Sequence, residues 1–380
     1  MKSKGCIKIF RCGKSAPTIA CATIAWVLLT GVTSGDATWR QATAGYKFVF
    51  PRDHGAHEDF KIEWWYYTGT VQTKDGRRFG YQLTFFRTGV QKDPVIPSRW
   101  AIRDLYIAHF ALSDISAGQF RFFDRMNRAG VGWAGAATNG TRIWNEDWEA
   151  QIAGPEHLLR AQDKDCAIRL RLRSLKPAVA HGDNGLSRKG SREGNASHYY
   201  SLTRLQTSGV IVIGDEELSV FGSSWMDHEF GTSFLEPGAI GWDWLSLQLD
   251  GGRELMCFNI RSATGESSPF SSGTIIEEDG TSVSLAASAF VLRPVDVWQS
   301  PISGAKYPVR WTVDVPNQEL RLTIEALLPN QELHPKKTTG FPYWEGAVRT
   351  HGEWSGQSIT GTGYLELTGY TGKRMDEVFR

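Results

Sequence analysis

Glu63-Trp64-Trp65-Tyr66-Tyr67-Thr68-Gly69 and Trp225-Met226-Asp227-His228-Glu229-Phe230-Gly231 are the two stretches on which the fold turns. Each sets large aromatic side chains beside ionisable groups on a strand-like run that closes on glycine. A β-barrel lining an apolar cavity, with one or two proton-handling groups inside it, would be built from such runs. Around them the sequence stays β in character. Thr68–Gln72, Arg78–Arg87, Leu105–Leu112, Ala167–Leu172, Val210–Ile213, Trp242–Leu249 and Leu320–Ala326 are short and rich in β-branched or aromatic residues. Asp75-Gly76, Asn139-Gly140, Asp250-Gly251 and Asp279-Gly280 supply turns between them, and no long stretch keeps a helical period.

A repeat is visible within this pattern. Trp64-Trp65-Tyr66-Tyr67, the turn at Asp75-Gly76 and Tyr81–Arg87 match Trp242-Asp243-Trp244-Leu245, the turn at Asp250-Gly251 and Leu255–Arg261. The closing segments match as well, Gly222–Asp227 against Gly361–Glu366. Two copies of one all-β unit follow, each with the size of an up-and-down barrel able to hold a small ligand. Glu236-Pro237-Gly238 breaks any strand between them. The expected organisation is a signal segment over 1–35, a first barrel over 36–233 and a second over 234–380.

The opening segment has another character. Lys2, Lys4, Lys8, Arg11 and Lys14 precede an uncharged run from Ser15 to Gly35 that is most apolar between Ile19 and Val32. That order predicts a secretory signal cut near Gly35 or Ala37, with an uncleaved anchor as the alternative. The expected location is the periplasm or cell envelope, where peripheral membrane contact is open to the chain. Removing five cations from 42 leaves 37 against 41 anions, a mature charge of −4. A mildly acidic exported chain is a poor match for nucleic acid. Three of the five cysteines leave with the signal, and Cys166 and Cys257 are expected as buried free thiols.

Fifteen Trp in 380 residues suggest pockets as well as cores, because each buried indole N–H needs a partner. Strand parity decides which groups can point inward together. Trp225, Asp227 and Glu229 share one face, while Met226, His228 and Phe230 share the other. The first face inward would put a carboxyl under an indole, raise its pKa and make it a proton donor. The second would bury a neutral histidine among apolar neighbours. Both remain open from sequence alone, as does a purely structural role in tying the barrel to its linker. Trp64 and Tyr66 likewise oppose Trp65 and Tyr67, as ligand shelf or barrel plug. His109 is either a satisfied core histidine or a pocket residue. The polar segment His181–Ser197 reads as a lid or a disordered insertion. No Gly-x-Ser-x-Gly, His-Glu-x-x-His, Cys-x-x-Cys or phosphate loop occurs, and no cofactor is expected. A metal site from His54, His57, Asp227 and His228 is disfavoured, because adjacent strand residues splay apart.

Phe50–His57, Glu63–Tyr66, Ala108–Ala111, Gly194–Ser201, Trp225–Gly231, Trp242–Trp244, Tyr343–Gly346 and Gly363–Tyr370 together resemble the carotenoid 1,2-hydratase (hydroxyneurosporene synthase-like) family and its secreted lipocalin-like relatives. The accessory proteins of the AttH type, found with ABC transporters, are among those relatives. The resemblance spans about Tyr46 to Tyr370 and implies two tandem lipocalin-like antiparallel barrels with a pocket near their junction. It implies an elongated isoprenoid or lipid ligand and, in hydratases, addition of water to an isolated alkene by acid catalysis. On that basis Asp227 is the expected acid, His228 orients or activates water, and Asp243 is an alternate acid. The expected ligand contacts are Trp64, Trp65, Tyr67, His109, Tyr199, Trp225, Trp242 and Trp244. The alternative is a non-catalytic lipid carrier serving an ABC transporter.

Overall fold

Strand Ile62–Gln72 organises the first half of the molecule. It turns Trp65, Tyr67 and Val71 to one side and Trp64, Tyr66 and Thr68 to the other, as a period of two requires. In the computed structural model, which describes residues 38–94, 98–233 and 235–372, this strand is central. The expected signal segment lies outside the described residues. Antiparallel neighbours flank the strand, Arg78–Gly89 on one edge and Glu216–Ser233 on the other. The sheet continues outward through Asp104–Asp114 and Gln119–Arg128 on one side. On the other it runs through Ala196–Ile213, Cys166–Ser174, Glu156–Asp163, Trp148–Ala153, Arg142–Asn145 and Ala134–Ala136.

This sheet curls until its ends meet. Asn127 Nδ2 donates to Asn145 Oδ1 at 2.8 Å, and Asn145 Nδ2 to the Tyr106 carbonyl at 3.0 Å, so side chains close what the ladder leaves open. The result is a nearly closed barrel. Its interior is packed with fully buried Trp65, Tyr67, Phe79, Tyr81, Phe110 and Trp148. Burying each such ring stabilises the fold by about 2–3 kcal/mol. The inside of this barrel is a core and not the ligand chamber that an up-and-down barrel can provide.

The second sheet repeats the plan as a half-barrel. Ala239–Leu249 forms a hairpin with Glu254–Ser262, and the closing strand Gln357–Leu367 lies on its other edge. Tyr343–Trp354, Leu320–Ala326, Lys306–Val315 and Val291–Gln299 extend one side, with Ser272–Ile276 and Ser282–Ala286 on the other. Leu247, Leu255, Val313, Leu322 and Trp344 pack its concave face. The sequence repeat is thus a repeat of pairing, in which each opening strand sits between its hairpin partner and its closing strand. Gly76 at φ +89° and Gly280 at +87° make turns that side chains with a Cβ rarely allow. Cys166 lies in the first core and Cys257 in the second, both reduced.

The two sheets meet through their outer faces. Tyr66, Tyr199, Trp225, Trp244, Phe258 and Tyr364 form one buried cluster between them. The approach is close at Gly80, where an added Cβ would lie 2.7 Å from the Ala347 Cβ. The segment His181–Ser197 is not a disordered insertion. Leu186–Arg188 pairs with the start of the Ala196–Ile213 strand, and His181, Ser187, Lys189 and Ser197 are buried.

Candidate functional site

The face of Glu216–Ser233 is settled by long-range contacts. Met226 and His228 turn into the first barrel, Phe230 on the same face packs in a separate cluster with Phe60 and Leu186, and Trp225, Asp227 and Glu229 face the second sheet. His228 stacks on Trp65 at 4.8 Å and approaches Glu63 Oε1 through Nε2 at 2.9 Å. Glu63 also accepts from His57 and from the fully buried Arg87, which in turn pairs with Asp104 at 2.9 Å. Burial alone would raise the Glu63 pKa. The charges of His57 and Arg87 and the histidine hydrogen bonds outweigh it and hold the carboxyl well below the usual range.

His57, Glu63 and His228 bring potential metal-ligand atoms within 4.8 Å of one another. Arg87 already neutralises the carboxylate from its other side, so the group is better matched to binding the segment before the first strand than to a cation. The set of His54, His57, Asp227 and His228 does not assemble, since Asp227 points the opposite way.

Between the two outer faces lies a cavity of about 120 Å³, open on one side and lined by Trp64, Tyr66, Phe86, His109, Asp227, Trp242, Trp244, Tyr343, Glu345 and Glu366 among others. At about 30 Å³ per water, that is room for some four waters or one branched prenyl-sized group. An elongated ligand would insert one end. Trp64, His109, Trp242, Trp244 and Asp227 are therefore together at this cavity. Trp65 and Tyr67 are not; strand alternation sends them into the first barrel's core. His228 is likewise on the far side of its strand and cannot orient a water beside Asp227. Asp243 alternates with Trp242 and Trp244, faces away from the cavity, and accepts from Arg261 at 3.0 Å, Asn259 at 3.0 Å and Tyr370 at 2.8 Å. Those bonds give it a structural part.

Asp227 is buried and receives three donors. The Tyr199 hydroxyl donates to Oδ2 at 2.7 Å, Trp225 Nε1 to Oδ1 at 2.5 Å, and the Ser201 hydroxyl also to Oδ1. Tyr199 and Trp225 thus stand behind the carboxyl rather than in the wall, and Trp244 Nε1 donates to the Tyr199 oxygen at 3.1 Å. Ser201 has one proton and gives it to Asp227, so it accepts from His181 Nε2 at 2.7 Å. His181 Nδ1 then accepts from Thr274, 2.8 Å away on the second sheet. Burial drives the Asp227 pKa up and the three hydrogen bonds oppose it, leaving it at about 7. Oδ1 is doubly occupied, so the transferable proton belongs on Oδ2.

Three further carboxyls share the cavity. Glu229 is paired with Lys189 at 2.9 Å, and the ammonium lies 4.1 Å from the Phe258 ring centroid. Glu345 and Glu366 are direct cross-strand partners. Burial, with the charges of Asp227 and Glu229, pushes Glu366 up to about 7, and burial with the Glu366 charge raises Glu345 well above its ordinary value. His109 bonds Tyr343 at 2.8 Å and Thr338 at 2.9 Å, and burial lowers its pKa to about 3, so it is a neutral wall.

With this geometry in place, comparison with known proteins is informative. Residues 41–370 match the AttH-like family model. The crystal structure of a candidate AttH from Nitrosomonas europaea superimposes with a TM-score of 0.79 at 35% identity, over 87% of this chain and 99% of that one. Kievitone hydratase from Nectria haematococca shares the fold at a TM-score of 0.66 and 12% identity, over 88% of this chain and 97% of that one. The dehydratase asqC of Emericella nidulans is 22% identical over 201 residues, which is 51% of this chain and 55% of that protein. The chain thus spans about half the length of this curated relative. Hydratases and dehydratases, which add or remove water, stand among its similar proteins. The chain belongs to the AttH-like family.

Proposed function

We propose that the junction cavity receives one end of an elongated apolar isoprenoid or lipid and that the protein is a hydro-lyase acting there, with Asp227 as proton donor. The observation that carries this is a buried carboxyl, poised at about pH 7, opening onto a cavity walled by Trp64, Trp242 and Trp244. The protonated acid gives its proton to an alkene carbon and a tertiary cation forms. Indole faces within about 6 Å stabilise such a cation. Water then adds to it; in reverse, a tertiary alcohol loses water. The relatives named for adding or removing water support this class of reaction. The amino-terminal pattern of cations and then apolar residues supports export to the envelope, which fractionation of the producing cell tests.

The decisive experiment begins with mass spectrometry of the purified protein, to identify an apolar molecule carried with it. That molecule is then incubated with wild type and with Asp227→Asn. The expected result is gain or loss of one water by wild type and none by the variant, with binding retained. Recovery of the same lipid unchanged from wild type would point instead to a carrier, and equal turnover by the variant would remove Asp227 from the reaction.

A further inference from the structure

The cavity has a second acidic wall that the proton donor does not use. Glu345 and Glu366 stand opposite each other on adjacent strands, Glu345 buried and Glu366 half-buried, and both line the cavity. Neighbouring carboxylates cannot both ionise out of water, so such a pair keeps one proton and one negative charge. The Lys189 cation is bound to Glu229. The charged or titratable groups facing the pair are Asp227, Glu229, Lys189, Tyr66, Tyr343 and Tyr364, with Lys189 opposing the rise that Asp227 and Glu229 cause at Glu366. An independent observation points to a ligand. The Tyr66 hydroxyl, in a side chain more than nine-tenths buried and lining the cavity, lies beside the Glu345 carboxyl without a hydrogen bond of good geometry, and Glu345 Oε1 makes none either. A buried polar group without a partner costs about 1–3 kcal/mol, which an incoming oxygen or cation would offset.

We propose that Glu345 and Glu366 share a single proton and form the base of the site, facing the cation in the cavity and taking the proton from the attacking water. The inference rests on the hydro-lyase assignment and completes its proton balance. Asp227 gives its proton to carbon and becomes a carboxylate. The water oxygen bonds to the cationic carbon, and one water proton passes to the singly charged pair, which becomes neutral. A proton then returns from Glu366 to Asp227, its neighbour in the cavity, and the site is reset. The net change is alkene plus water to alcohol, with nothing else consumed.

The test uses two probes of equal length, N,N-dimethyldodecylamine as the protonated cation mimic and 2-methyltetradecan-2-ol as its neutral counterpart. Binding to the full chain is followed at pH 7 by tryptophan fluorescence. Close desolvated charge pairs couple strongly enough that wild type should prefer the ammonium by about tenfold or more. Either single variant, Glu345→Gln or Glu366→Gln, leaves one carboxyl to carry the charge and should keep the preference, whereas Glu345→Gln/Glu366→Gln together should bring the two affinities together while keeping alcohol binding, and Asp227→Asn should keep the preference. Near-ultraviolet circular dichroism checks that the double variant folds, and Glu345→Leu/Glu366→Gln carries the test if it does not. A preference that survives in the folded double variant, or that is lost only in Asp227→Asn, would overturn the proposal and leave the ligand site standing. If wild type binds neither probe, the apolar ligand site itself falls.

Discussion

Replacing Ser201 by alanine isolates what sets the acidity of Asp227. The serine hydroxyl donates to Oδ1 and relays a hydrogen bond from His181, which Thr274 completes across the two sheets. A hydrogen bond to a charged group is worth about 1.5–3 kcal/mol, and one pKa unit corresponds to about 1.4 kcal/mol. The bond favours the carboxylate, so its loss must raise the Asp227 pKa, by about one to two units from about 7. His181 Nε2 would also lose its partner in a fully buried place, costing about 1–3 kcal/mol of stability. Carbon-13 NMR of aspartate carboxyls, with Asp227→Asn supplying the assignment, gives the titration directly. Because Asp227 and Glu366 interact, the measured midpoint belongs to the coupled set, but the upward direction does not depend on that. A midpoint that stays put or falls in Ser201→Ala would refute the hydrogen-bond account of the site.

Other consequences can be checked without a ligand. Arg87→Met should lower stability by about 3–5 kcal/mol in urea unfolding, since Glu63 and Asp104 would stay buried without their counter-ion. Arg87→Lys should not restore it, because one ammonium cannot serve two carboxylates and the carbonyls of His57 and Phe60 at once. Gly80→Val should push the sheets apart against Ala347 and alter the junction cavity, seen as a lowered melting temperature together with changed uptake of an apolar fluorophore. Burial lowers the His157 pKa to about 3, whereas the unfolded chain takes up a proton near pH 6.5. A depressed histidine therefore costs stability as pH falls below that value. His157→Leu should lose about 2 kcal/mol less than wild type between pH 7 and pH 5, as read from paired denaturation curves. Parallel curves for the two proteins would contradict it.

The β architecture and its internal repeat were legible because period-two runs and Asp-Gly turns are local signals. The same local signals could not choose a face for the strand at 225–230. Both parity sets there contain aromatics and ionisable groups. The choice was made by partners remote in sequence, Glu63 and Trp65 drawing His228 inward and Tyr199 and Ser201 holding Asp227 outward. For the same reason Trp65 and Tyr67 could not be told from Trp64 and Tyr66. Lys189 was hidden by composition. It sits among glycines, serines and charges that read as solvent-exposed, yet Glu229 draws it into the cavity wall. Glu345 and Glu366 gave one usable signal, the alignment of Glu366 with Asp227 in the repeat.

That alignment also accounts for where the cavity is. In each unit the opening strand places an aromatic ring directly opposite an acid on the closing strand, Tyr66 against Asp227 and Trp244 against Glu366. A carboxyl turned outward from one barrel would ordinarily be solvated and ionised. Because the two units pack these equivalent faces against each other, Asp227 is buried and Glu366 half-buried between them, and neither can find a full complement of cations. Lys189 serves Glu229, and the rest must keep protons near neutrality. The duplication thus generates proton-holding groups on two walls of one cavity without either barrel having to be hollow. A single barrel of this kind, deprived of its partner, would expose the same residues to water and return Asp227 to the ordinary carboxylate range.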